Sequence, residues 1–110
     1  MKVKQAVFLD RDGTLIEDVG YVGRIDQVTV YPKPGRGLID RAVRDLGIDP
    51  ARSSVVGDKW IDVALARAIG ARAVLVRTGY GANEETRPQP NLAADTIVDN
   101  LAAAAAWILR

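Results

Sequence analysis

The sequence predicts an α/β fold: a minimal, capless, three-layer Rossmann-like parallel sheet of about four strands plus a flap. Three observations predict it. Short β-branched runs alternate with stretches of helical periodicity, a βαβαβ pattern that implies parallel strands and right-handed crossovers. Two of these runs end in carboxylates, at Asp10 and at Asp58, and ligand sites of open α/β sheets gather outside the carboxyl ends of strands. The chain has 110 residues, enough for one domain (1–110) with a real core and too few for a catalytic domain plus a cap.

Residues 5–9 (QAVFL) form an apolar run that reads as a buried strand. Residues 16–31 read as a flap, with Gly20 and Gly23 ahead of VTV at 28–30, one arm of a hairpin. A helix is predicted over 35–46, where Leu38, Ile39, Ala42, Val43 and Leu46 share one face and Gly47 supplies the stop. Residues 54–56 form the next strand, 60–69 a helix closed by Gly70, and 73–76 a third strand. The loop RTGYG at 77–81 is either a simple turn or a place where backbone amides meet a substrate. Residues 84–91, with Pro88 and Pro90, read as an extended surface connection. A fourth strand over 96–98 precedes a helix over 100–109, whose five alanines (102–106) suit helix propensity and close packing.

Fifteen basic and 14 acidic residues leave a net charge of +1, with 48% hydrophobic and 26% charged residues. Nothing in that balance recommends a nucleic acid or a membrane surface as partner. Cysteine and histidine are both absent, so disulfides, thiolate sites and imidazole catalysis are excluded and any chemistry falls to carboxylates. The first ten residues enter a strand at once and lack the apolar stretch of a signal peptide, which predicts a cytoplasmic location.

The segment VFLDRDGTL (7–15) carries the most chemistry. Asp10 and Asp12 are one residue apart as the chain leaves the strand, so both turn to the same side, and Gly13 permits the bend that follows. Two carboxylates so close call for a hard divalent ion, Mg²⁺ by default. The alternative is an Asp-Gly turn after a buried strand. SSVVGDKWID (53–62) adds Asp58, Lys59 and Asp62 at the end of another strand, so Asp10, Asp12 and Asp58 can converge on one ion. The structural alternatives are an N-cap role for Asp58 and a first-turn acid at Asp62.

FLDRDGTLIED with GYV (8–18 and 20–22) and PARSSVVGDKWIDVALARAIGARAVLVRTGYG (50–81) resemble the haloacid-dehalogenase-like (HAD) phosphatases, specifically the branch of heptose-bisphosphate and histidinol-phosphate phosphatases. The resemblance implies Mg²⁺-dependent hydrolysis of a small phosphorylated metabolite through an aspartyl-phosphate. Asp10 is then the nucleophile and Asp12 the acid/base, with Asp10, Asp12 and Asp58 about the metal. Arg11, Gly13, Thr14, Lys33 and Lys59 are the candidate phosphate and substrate contacts, and Asp62 is a further candidate.

The chain also departs from that family. Relatives carry, after the flap, a helix, a strand ending in a phosphate-binding Ser/Thr, and a zinc loop of Cys and His. Here VTVYP (28–32) runs directly into KPGRGLIDRAVRDLGIDP (33–50). In the K-P-x-P-G pattern of the family, Tyr31 stands in the place of the lysine. Lys33, two residues on, is either its substitute or a solvated loop residue. Shortening would also turn the first strand into an apolar edge, from which we expect a homodimer covering it, or the flap folded back across it. Three readings follow: a weakened phosphatase, an inactive remnant serving as a metal-binding or dimerising scaffold, and a receiver-like phospho-acceptor.

Overall fold

A computed structural model of the chain describes residues 4–10, 28–32 and 36–110, with backbone alone at 28–32, 36 and 38. In chain order the elements are β1 (Gln5–Leu9), β2 (Val28–Pro32), α1 (Arg36–Leu46), β3 (Ser54–Gly57), α2 (Trp60–Ile69), β4 (Arg72–Val76), α3 (Gly81–Glu85), β5 (Thr96–Val98) and α4 (Leu101–Leu109). The strands make one sheet in the order β2-β1-β3-β4-β5, and every neighbouring pair is parallel.

Alternation along the strands builds the three layers. Ala6, Phe8, Val55, Ala73 and Leu75 face one side and pack with Ile39, Ala42 and Val43 of α1 and with Trp60, Val63 and Ala66 of α2. Val7, Leu9, Val56, Val74 and Val76 face the other and pack with Leu101, Ala104 and Trp107 of α4. Strands buried on both faces read as continuous apolar runs, which is why VFL and VLV carry no polar alternation. The α1 stripe is core at Ile39, Ala42 and Val43, whereas Leu46 at its end is 37% exposed.

Two expectations change. VTV is not a hairpin arm: it lies in β2, parallel to β1, pairing with it from Gln5↔Val28 to Leu9↔Pro32. The first strand is therefore not an edge. The flap segment supplies its missing neighbour, the second of the two outcomes anticipated, and a dimer through the β1 edge has no free strand to pair. The outer position falls to β2. The stretch after RTGYG is also less extended than expected, since Gly81–Glu85 closes into the short helix α3.

This order places a switch point between β1 and β3. The chain adds β2 on one side of β1, then returns to build β3, β4 and β5 on the other, and a crevice opens outside the carboxyl ends of the two strands at such a reversal.

Candidate active site

The crevice is lined by acids. The Asp10 amide donates to the Val56 carbonyl at 3.0 Å, which carries the β1–β3 ladder one residue past Leu9 and fixes where Asp10 leaves the sheet. Asp58 follows Gly57, the last residue of β3, and Asp62 sits in the first turn of α2. Carboxylate oxygens of Asp10, Asp58 and Asp62 all lie within 4.8 Å of one another. Asp58 is 0% and Asp62 2% exposed.

Each buried acid is held. Asp58 Oδ2 accepts from the Tyr80 amide at 3.0 Å, and Asp62 Oδ2 accepts from the Lys59 amide at 3.3 Å. Gly57 makes the approach of Asp62 to the strand end geometrically feasible, because a Cβ there would overlap the Asp62 carboxyl group. Gly57→Ala is therefore expected to displace Asp62 and cost about 1–3 kcal/mol. Urea unfolding checks this, and an unchanged midpoint would contradict the close packing.

Asp58 Oδ1 is buried and accepts no hydrogen bond. A buried carboxylate oxygen without a donor, beside two further carboxylates, is costly unless a cation satisfies it. An all-oxygen donor set of this kind suits a hard divalent ion, so the residues present fit Mg²⁺. The N-cap alternative for Asp58 fails, since Lys59 is the capping position of α2 and the Asp58 carboxylate turns to Tyr80 instead. For Asp62 both readings hold, first-turn acid and member of the cluster.

The loop that holds Asp58 is itself bolted down. Glu84 of α3 accepts from the Trp60 amide through Oε1 at 3.0 Å, and its carbonyl accepts from the Trp60 indole at 2.7 Å, tying the loop after β4 to the start of α2. Arg77, at the foot of that loop, donates to Glu85 at 2.8 and 3.1 Å and to Asp99 at 2.8 Å. The Arg77 hydrogen bonds hold the Glu85 carboxyl below the usual range, against a smaller opposing effect of desolvation. A carboxyl held low in the fold adds stability above its unfolded pKa, and that contribution fades as pH falls through the folded value. Glu85→Gln should thus be less stable than wild type at neutral pH, with the difference narrowing below about pH 4. Urea midpoints across that range test it, and a constant gap would rule it out.

Among the predicted residues, Asp10, Asp58 and Asp62 are brought together. Lys59 is exposed, with Nζ 4.9 Å from the centre of the Tyr80 ring, a cation at the rim of the cluster. Arg11, Asp12, Gly13, Thr14 and Lys33 lie outside the described residues. Two positions were not singled out in the sequence. Tyr80 acts through its amide, for which the glycine-bearing loop was the available signal. Glu84, read as part of a surface connection, leaves no local signal because its partner is 24 residues away.

Fold and site define a doubly wound α/β protein whose switch-point crevice is built of carboxylates. The family model for HAD-hydrolase-like proteins matches residues 30–104, and the chain belongs to that family. It is 35% identical over 100 residues to a D-glycero-beta-D-manno-heptose-1,7-bisphosphate 7-phosphatase of Haemophilus ducreyi, covering 83% of this chain and 55% of the relative. The chain thus spans about half the length of the curated relatives it matches. Among solved structures, a D,D-heptose 1,7-bisphosphate phosphatase from Burkholderia thailandensis superposes with a TM-score of 0.67 at 24% identity, covering 96% of this chain and 99% of that one. That likeness concerns the fold. The enzyme from B. bronchiseptica, complexed with magnesium and phosphate, matches with a TM-score of 0.58 at 26% identity over 79% of this chain and 54% of that one.

Proposed function

We propose that the chain is a minimal, single-domain phosphomonoester hydrolase that uses Mg²⁺ and phosphorylates Asp10 in each turnover. The observations that carry this reading are the convergence of carboxylate oxygens of Asp10, Asp58 and Asp62 within 4.8 Å of one another and the buried Asp58 Oδ1 that has no donor.

In this reading the Asp10 carboxylate attacks phosphorus in line, forming an acyl phosphate as the ester P–O bond breaks. Asp12 protonates the departing oxygen, then takes a proton from the water that hydrolyses the acyl phosphate and frees Asp10. Asp10, Asp58 and Asp62 would hold the ion, which when bound offsets the charge of the phosphoryl group. The Tyr80 amide keeps one oxygen of Asp58 occupied, so the other is presented to the cluster. Lys59 places a cation at the rim, where it draws in an anionic substrate.

Members of the family carry phosphate-binding groups that this sequence lacks. Removing one preorganised donor costs about 10²–10³ in rate, and two such losses need not add. Uncatalysed phosphate-ester hydrolysis is slow enough that enzymes accelerate it by up to about 10²¹, so a weakened site still gives measurable turnover. The names of the relatives favour a sugar phosphate, heptose bisphosphate first, over histidinol phosphate. A cytoplasmic site of action belongs to the same reading; among the described residues no helix is long and apolar enough to cross a membrane.

Phosphate release from p-nitrophenyl phosphate, heptose bisphosphate and histidinol phosphate, with and without Mg²⁺, tests the proposal. Mg²⁺-dependent release led by the heptose ester is expected. Background rates on all three would leave the inactive scaffold.

The strand order favours one second reading. The order β2-β1-β3-β4-β5 is the doubly wound order that receiver domains also use, and a receiver too keeps an acidic cluster at the β1 end. Acetyl phosphate separates the two: an acyl phosphate on Asp10 that is hydrolysed as fast as it forms supports the hydrolase, and one that persists supports the acceptor.

A further inference from the structure

At the opposite edge of the sheet, the amino ends of the strands frame a cavity of about 350 Å³ lined by Gln5, Ala51, Arg52, Arg72, Ile108 and Arg110. It belongs to none of the chemistry above. Four- and five-residue strands put roughly 15 Å between this edge and the acids. We propose that this cavity is a second binding site, for the phosphate group of a small metabolite.

Three guanidinium groups line it, and no carboxylate among the described residues lies in ion-pair range of them. By contrast, two other arginines of the sheet and its helices are neutralised: Arg67 meets Asp95 at 3.0 Å, and Arg77 meets Glu85 and Asp99 at 2.8 Å. Arg72 opens β4, and its Nε is buried without an acceptor. A buried charged donor left unmade is expensive, which points to an acceptor supplied from outside the chain. The Trp107 ring holds Arg72 and Arg110 in place, with the guanidinium carbons 5.0 and 5.2 Å from its centre. Two cations gathered by one ring, with Arg52 lining the same cavity, repel one another, and a bound anion offsets that repulsion.

The ligand class follows from donor geometry. Planar guanidinium forks match the oxygens of phosphate in paired hydrogen bonds. The volume exceeds what a bare phosphate needs and lies at the small end of metabolite pockets, so the phosphate anchors a larger molecule. Gln5 and the Ile108 side chain are available to the rest of it.

Inorganic phosphate is the probe. Metal-free wild-type protein, with ionic strength matched by sodium chloride, is titrated while amide and indole NMR signals are followed. Saturable shifts at Arg52, Arg72 and the Trp107 indole are expected, with affinity at least about 10-fold weaker in Arg52→Ser and Arg72→Gln. Arg52 is exposed, so its replacement leaves the core intact and keeps the test valid if Arg72→Gln fails to fold. Shifts confined to Asp10, Asp58 and Tyr80, shifts that chloride reproduces, or unchanged affinity in Arg52→Ser would each overturn the site. The outcome is independent of phosphatase activity.

Discussion

Asp10→Asn is expected to lower Mg²⁺-dependent phosphate release by at least about 10³-fold, because an amide oxygen is a poor nucleophile and cannot form the acyl phosphate. The substitution keeps shape and removes one charge from the acidic cluster, which relieves repulsion and takes away no packing. The Asp10 amide, which donates to the Val56 carbonyl, is untouched by the change. Loss of activity with unaltered circular dichroism would therefore report chemistry, whereas wild-type turnover in the variant would remove Asp10 from the mechanism. A variant that still cleaves one equivalent of phosphate ester and keeps the phosphoryl group, without turnover, would place the nucleophile elsewhere.

Asp58→Asn separates metal binding from folding by acting on them in opposite directions. The three carboxylates lie within 4.8 Å of one another, and two are almost wholly buried. Without metal, replacing one charge relieves repulsion from both neighbours, so the apo variant should be more stable than wild type by about 1–2 kcal/mol. The Asn oxygen can still accept the Tyr80 amide. With metal the order reverses: affinity for Mg²⁺ should fall at least about 10-fold, since even partners of ligands are worth that much. Thermal melts with EDTA and with Mg²⁺ measure both effects. A variant less stable than wild type in EDTA would show that repulsion among the acids does not dominate the apo fold, and one whose melting temperature still rises with Mg²⁺ as in wild type would show that the cluster is not an ion site.

Much of this was legible in the chain because it is local. The helix over 60–69 and the strand over 96–98 are found where the pattern of apolar residues put them, and the helix begun at Asn100 starts one residue later, with Asn100 as its cap, its side chain accepting from Ala103. Strand ends were readable too, and with them the carboxylates that strands deliver. That is how Asp10, Asp12 and Asp58 could be grouped from their sequence positions, given that parallel strands present their carboxyl ends on one side; Asp62, which reads equally as a first-turn acid, joins Asp10 and Asp58 only in the structure. The flap was harder. VTV reads as a strand by β-propensity, but whether it runs parallel or antiparallel to β1 depends on the connection between them and not on the residues of either.

Periodicity and spacing thus determined the α/β class, the main strands and helices and the acids at the strand ends, since each rests on side chains a few residues apart. The tertiary structure alone decided that β2 covers β1, that the Tyr80 amide orients Asp58 across 22 residues and that Glu84 caps Trp60 across 24. It also decided that Arg52, Arg72 and Arg110 share one cavity. Contacts between such distant positions are set by how the layers stack, and stacking leaves no periodic trace in either partner's own segment.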